Sequence, residues 1–209
     1  MYKLLLICAV ILVSGTSLAQ PMNYKGGQGG TISIGQRTTV SAFNGTSEEK
    51  PALGIGGQFR VRLSERVNTE WFADYLPATN DYTRREDYHI GWSVLFYPFN
   101  KDRERILPYV LAGHCFDYTN HVDLSDRTNS INRWSSAVQA GLGTHINLTD
   151  RFDISLSSQY MIHLGTDVHS HITENGAVEF QAHKGGSLEG HLLFTLSFNY
   201  KIGDLWARK

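Results

Sequence analysis

Most of the chain alternates apolar and polar residues with a period of two, in stretches of ten to fourteen residues separated by turn chemistry. The stretch 53–63 is the clearest: Leu53, Ile55, Gly57, Phe59, Val61 and Leu63 share one face, and Gly54, Gly56, Gln58, Arg60 and Arg62 share the other. Residues 134–148, 152–164 and 188–202 repeat the pattern with Ser, Gln, His, Asn and Asp on the polar face. Residues 31–44, 67–77, 85–98 and 107–118 follow it less cleanly. The pattern predicts eight strands, and no stretch beyond residue 30 carries helical periodicity.

Strand length separates two all-β architectures. Sandwich strands run to about 5–6 residues, whereas a tilted membrane-crossing strand needs about 9–11. Most of these segments have the longer length. Their polar face suits a polar interior and their apolar face suits lipid, so the expected fold is all-β: an eight-stranded antiparallel up-and-down transmembrane β-barrel.

The connections agree with this. Ser64-Glu65-Arg66 and Thr149-Asp150-Arg151 are tight, and residues 100–105 form a compact charged turn. The intervening loops 45–50, 78–84, 119–130 and 165–187 are mostly longer and richer in Asn, Asp, Thr and His. Short turns on one rim and long loops on the other are the outer-membrane pattern, with the short side periplasmic. By parity Trp71, Tyr75, Trp92, Phe96, Tyr109, Trp134, Phe152, Tyr160, Phe198 and Tyr200 face outward, several near strand ends where aromatic rings favour the membrane interface.

The N-terminus adds a compartment. A basic start at Lys3, an apolar run over residues 4–13 and small residues at Ser17 and Ala19 read as a cleaved secretory signal over 1–19. A Gly-rich leader over 20–30, the barrel over 31–203 and a tail over 204–209 complete the expected organisation. Export with the single thiol Cys115 left after cleavage leaves no internal disulfide. Composition changes the picture little: 209 residues carry 19 Lys and Arg against 20 Asp and Glu, too balanced for nucleic-acid binding through bulk charge.

Leu107-Pro108-Tyr109-Val110-Leu111-Ala112-Gly113 and the glycine-rich run from Ala140 to Gly143, leading through Thr149-Asp150-Arg151 into Phe152, resemble strands of the small outer-membrane β-barrels, the OmpA-like and OmpX-like family. The alternation of Phe194, Leu196, Phe198 and Tyr200 looks like that family's assembly signal, although Gly203 to Lys209 follow where the family usually ends on an aromatic residue. The resemblance implies a monomeric barrel in the bacterial outer membrane, surrounded by lipid and lipopolysaccharide and inserted by the barrel-assembly machinery. It says nothing of an activity.

Candidate chemistry lies in the lumen and loops. The tight turn at 64–66 sets Arg60 opposite Glu70 as an expected plugging pair. His89, His114, His163 and His191 have luminal parity near the long-loop end, with Asp74 close to His89, and His121, His169, His171 and His183 lie in the long loops. His169-Ser170-His171 has spacing suited to Zn²⁺ or Cu²⁺, so His163, His169, His171 and His191 are the candidate metal ligands, beside a simpler reading as solvated polar residues. Some small outer-membrane barrels deacylate lipid A with a His–Ser pair, and His145-Ile146-Asn147 resembles that motif only faintly: it lacks the serine and has luminal parity. The expected function is structural or surface-interacting through the long loops, without catalysis. The alternatives are a lipid A-modifying enzyme and a solute- or metal-binding barrel.

Overall fold

A computed structural model describes residues 29–43, 51–99, 105–165, 167–173, 175–183 and 190–206. The expected signal segment and nearly all of the leader lie outside the described residues. Eight strands close into a barrel: β1 (Thr31–Phe43), β2 (Ala52–Arg62), β3 (Val67–Thr79), β4 (Thr83–Phe96), β5 (Ile106–Asp123), β6 (Ser130–Asn147), β7 (Phe152–Leu164) and β10 (Gly190–Asp204). Each pairs antiparallel with its sequence neighbour, and β1 closes the wall against β10 from Thr31↔Asp204 to Phe43↔His191. Closure removes free sheet edges, so each strand of the barrel finds two partners. No described helix is long and apolar enough to cross a membrane, which says nothing of a β-barrel.

The tight turns share one device. Ser64 Oγ accepts hydrogen bonds from the Arg66 and Val67 amides at 3.3 and 3.1 Å. Thr149 Oγ1 does the same for Arg151 and Phe152 at 3.2 and 3.0 Å. A hydroxyl at the first turn position thus fixes each register.

At the other rim the structure differs from the sequence reading in two ways. Residues 119–123 and 130–133, expected mostly as loop, continue β5 and β6 into a projecting arm. Its turn is held by Asp123, whose carboxylate accepts the Ser125 amide at 2.8 Å, and by Asp126, which accepts the Thr128 amide at 2.9 Å. The loop 165–187 also contains a hairpin of its own, β8 (Asp167–Ile172) with β9 (Val178–His183). Gly176 turns it at φ +78°, a left-handed conformation that favours glycine.

Outward positions are apolar and exposed: Leu53, Ile55, Leu142, Phe194 and Phe198 are among them. Near the long-loop rim Tyr75, Tyr88, Tyr118 and Trp134 form a ladder with ring centroids 5.0, 5.9 and 4.8 Å apart. Toward the short-turn rim Phe59 stacks on Trp71 at 4.8 Å, and Phe152 meets Tyr200 at 4.8 Å. From Tyr88 to Phe96 along β4, a rise of about 3.3 Å per residue at a tilt of about 40° spans roughly 20 Å, close to the apolar height of such barrels.

On β5 the expected parity is reversed. Tyr109, expected outside, is luminal at 4% exposure, and His114, expected inside, lies on the outer wall, bonded to Ser136 and edge-on to Phe116. The reason is a greasy luminal sector: Leu95, Tyr97, Leu107, Tyr109 and Leu111 pack together inside. Both faces of β5 are apolar there, so alternation carries no direction. Tyr109 also lies over Gly143, where an added Cβ would sit 2.5 Å from its ring and 2.6 Å from the Leu156 carbonyl oxygen.

Candidate functional site: a stratified lumen under a hairpin

The inward residues stack in layers. Phe72, Cys115, Ala137, Met161 and Leu193 form an apolar septum across the barrel. Two residues along each strand toward the long-loop rim come Asp74, Asp117, Ser135, His163 and His191; two residues toward the short turns come Glu70, Gly113, Gln139, Gln159 and Thr195. The period of two therefore sorts the lumen into polar, apolar and polar strata.

Arg37 crosses the septum. Its guanidinium lies 4.3 Å from the Phe72 ring centroid, pairs with Asp74 at 3.0 Å above and with Glu70 at 3.3 Å below. Buried charge is tolerated here because two carboxylates and the ring face share it.

The lower stratum is held by Arg60, which donates to both oxygens of Asp153 at 2.8 and 2.7 Å and reaches His145 Nδ1 at 3.0 Å. The expected cross-strand register Arg60↔Glu70 is present. The expected pairing is not: Arg60 spans the lumen to Asp153, and Glu70 serves Arg37. A long guanidinium in a narrow barrel reaches the far wall, where a bidentate carboxylate outcompetes a neighbour on the adjacent strand. The remaining space near Ser33, Asn68, Tyr97, His145 and Lys201 is about 30 Å³, enough for a water or two.

The upper stratum holds the histidines. His163 Nδ1 lies 3.1 Å from Asp117 Oδ2, and its Nε2 lies 3.0 Å from His191 Nε2. His191 Nδ1 contacts Ser41 Oγ at 3.3 Å. His89, opposite Asp74 in register as expected, lies 3.4 Å from Asp117 Oδ1 and is 1% exposed. Asp117 joins these rings, and sequence reasoning missed it because the β5 parity was inverted. Arg133 approaches Asp117 at 3.5 Å, and Arg85 pairs with Asp87 at 2.9 Å above the ring.

Of the four expected metal ligands, His163 and His191 are brought together. His171 lies on β8, 3.6 Å from Glu179 and 3.4 Å from Gln181, and His169 lies on the same strand. Among the described residues no three His, Cys, Asp or Glu side chains stand as a ready-made metal site. The hairpin leans on the mouth: Tyr82 donates to the Ser170 carbonyl at 3.3 Å, Asn129 donates to the Val178 carbonyl at 2.9 Å, and Phe180 faces His121. Val168 and Val178 are buried by this docking.

The family described as outer membrane protein beta-barrel domain matches residues 6–201 of the sequence. Among solved structures, neisserial surface protein A is 11% identical with a TM-score of 0.55, over 82% of this chain and 96% of that one. The outer membrane protein OprG from Pseudomonas aeruginosa is 15% identical with a TM-score of 0.54, over 84% and 97%. Ail, the attachment invasion locus protein of Yersinia pestis, is 14% identical with a TM-score of 0.51, over 83% and 98%. At such identities the likeness is one of fold. No curated protein matches the sequence.

Proposed function

The chain belongs to the outer membrane protein β-barrel family, and from that premise we propose a non-conducting barrel of the bacterial outer membrane that acts by surface contact at its long-loop end. The observation that carries this reading is the filled lumen: the septum and the Arg60–Asp153 network occupy the cross-section, as expected when eight strands enclose only enough space for their own side chains. What remains for a partner is the arm of β5 and β6 and the β8–β9 hairpin. In this reading residues 1–19 direct export, the short turns face the periplasm, lipopolysaccharide surrounds the outer wall, and the assembly machinery recognises β10.

The test has two arms. In planar bilayers the refolded chain is expected to give no stepwise conductance. In intact cells, added protease is expected to cut within residues 165–187 and spare 149–151. Deleting residues 167–183 is then expected to abolish adhesion of cells to matrix-coated surfaces while leaving the barrel assembled. Regular conductance steps, or adhesion that ignores the hairpin, refute the proposal.

A second reading rests on the outer wall. His114 and Ser136 hydrogen-bond on the lipid-facing side, below Tyr118 and Trp134 of the aromatic ladder, where a hydroxyl and an imidazole would meet lipid esters. The faint motif at His145 is not involved, since His145 is buried in the lower lumen. Lipid A and phospholipid mass spectra from cells with wild type and Ser136→Ala decide this; unchanged acylation removes it.

A further inference from the structure

His163 and His191 aim Nε2 at Nε2 across 3.0 Å, and each holds its other ring nitrogen against an oxygen, Asp117 for His163 and Ser41 for His191. An oxygen on the far nitrogen is what fixes the tautomer and orientation of a metal-bound imidazole. His89 stands third. It is buried, and neither ring nitrogen has a hydrogen-bond partner; its nearest polar contact is the 3.4 Å approach to Asp117. The ring centroids are 4.5 Å apart for His163 and His191 and 6.3 Å apart for His89 and His191. Imidazoles sharing one tetrahedral Zn²⁺, at Zn–N of about 2.0–2.1 Å, set their centroids about 5 Å apart.

The geometry points to a luminal site for a divalent transition metal of the Zn²⁺ class, bound by Nε2 of His163 and His191 and by His89, above the septum. His89 completes the site by rotating its side chain, exchanging its 3.4 Å contact with Asp117 for the ion. A hydrogen bond between the two facing Nε2 atoms needs one proton between them in the metal-free ring. Binding moves that proton to His191 Nδ1, where Ser41 Oγ accepts it, while His163 Nδ1 keeps its own on Asp117; both Nε2 lone pairs are then free. The charged groups around the ring are balanced, with Asp74, Asp87 and Asp117 set against Arg37, Arg85 and Arg133. The ion would tie β4, β7 and β10 together, and it would enter from the long-loop mouth. This site shares His163 and His191 with the sequence expectation and replaces the hairpin histidines with His89.

Calorimetric titration of Zn²⁺ alone into the refolded full chain in detergent is expected to show one saturable site per chain. X-ray absorption of the loaded protein is expected to show three imidazole ligands, and two would remove His89 from the site. His163→Ala and His191→Ala each weaken binding by about 100-fold or more and His89→Ala by about 10-fold, since loss even of an outer-shell partner costs about 10–100-fold. His171→Ala and His114→Ala leave it unchanged. Gel mobility with and without heating reports whether each variant is folded, and His163→Gln and His191→Gln replace any alanine variant that is not. No saturable binding in the wild type overturns the proposal. Binding that survives loss of both His163 and His191, or that disappears in His171→Ala, overturns it equally.

Discussion

Asp153→Ala removes the carboxylate that holds Arg60 in the lower lumen. Both side chains are buried, and Arg60 donates to the two oxygens at 2.8 and 2.7 Å, while Asn199 donates to one of them at 3.0 Å. Asn199 keeps Ser155 and Ser197 as neighbours, so its loss is small. Arg60 keeps Ser33, Ser155 and His145 but loses its hydrogen-bonded carboxylate, and stranding one partner of a buried ion pair costs about 3–5 kcal/mol. Two lost hydrogen bonds to a charged acceptor, at about 1.5–3 kcal/mol each, give the same range. In urea titration of the refolded barrel, followed by tryptophan fluorescence, an m-value of about 2 kcal/mol/M places the midpoint roughly 2 M lower. The double variant Arg60→Met, Asp153→Leu is expected to recover part of the loss, because no buried charge is left alone. Glu70→Gln is expected to cost less than Asp153→Ala, since Arg37 retains Asp74. Asp153→Ala within 1 kcal/mol of wild type, or Glu70→Gln the costlier change, would show that Arg60 is not anchored across the lumen.

Leu142, 64% exposed on the outer wall, is expected to cost about 2–4 kcal/mol when changed to Arg if it lies near the bilayer midplane; a vesicle-inserted Leu142→Arg barrel of wild-type stability contradicts the lipid-facing assignment. Cys115 in the septum is fully buried, so in a Cys8→Ser background a water-soluble maleimide is expected to label the chain in urea and not when folded; rapid labelling of the folded protein means the septum is open. The arm's turn is expected to loosen in acid. The Ser125 hydroxyl and amide hold Asp123, and the Thr128 hydroxyl and amide hold Asp126, below the usual carboxylate range. Because both are depressed on folding, their contribution is complete above about pH 4 and fades as pH falls through the folded values. Hydrogen exchange at the Ser125 and Thr128 amides is expected to accelerate there relative to the strand amides, and a turn equally protected at pH 2 and pH 6 contradicts it.

The barrel was legible in the sequence because its wall sees two solvents, and a strand between them must alternate. Where both faces meet grease, alternation loses direction. Ile106, Pro108 and Val110 face out while Leu107, Tyr109 and Leu111 face in, and polarity alone cannot choose between them. That inversion put His114 in the lumen and hid Asp117, the residue to which His89 and His163 both turn. The luminal placement of His89, His163 and His191 was readable from parity. Their meeting was not, since β4, β7 and β10 are not all neighbours and contact across a barrel depends on stagger. Arg60 shows the same limit: register names the residue opposite, while the reach of the side chain selects its partner. The hairpin β8–β9 was overlooked because Ser, Thr, Asn and Gly in residues 165–187 read as loop chemistry, although Val168 and Val178 carry its buried side.

The septum of Phe72, Cys115, Ala137, Met161 and Leu193 also divides the molecule electrically. An ion or proton passing between the strata must shed its hydration over an apolar layer, so the two half-lumens equilibrate with different baths. The histidine ring lies on the long-loop side of that layer, and the Arg60–Asp153 network lies on the short-turn side. Arg37, fixed in the septum with a carboxylate at either end, is the one described charge that belongs to both. A change of acidity or ion content on one side of the membrane therefore reaches the other most directly through the pull it exerts on that guanidinium, which both carboxylates hold.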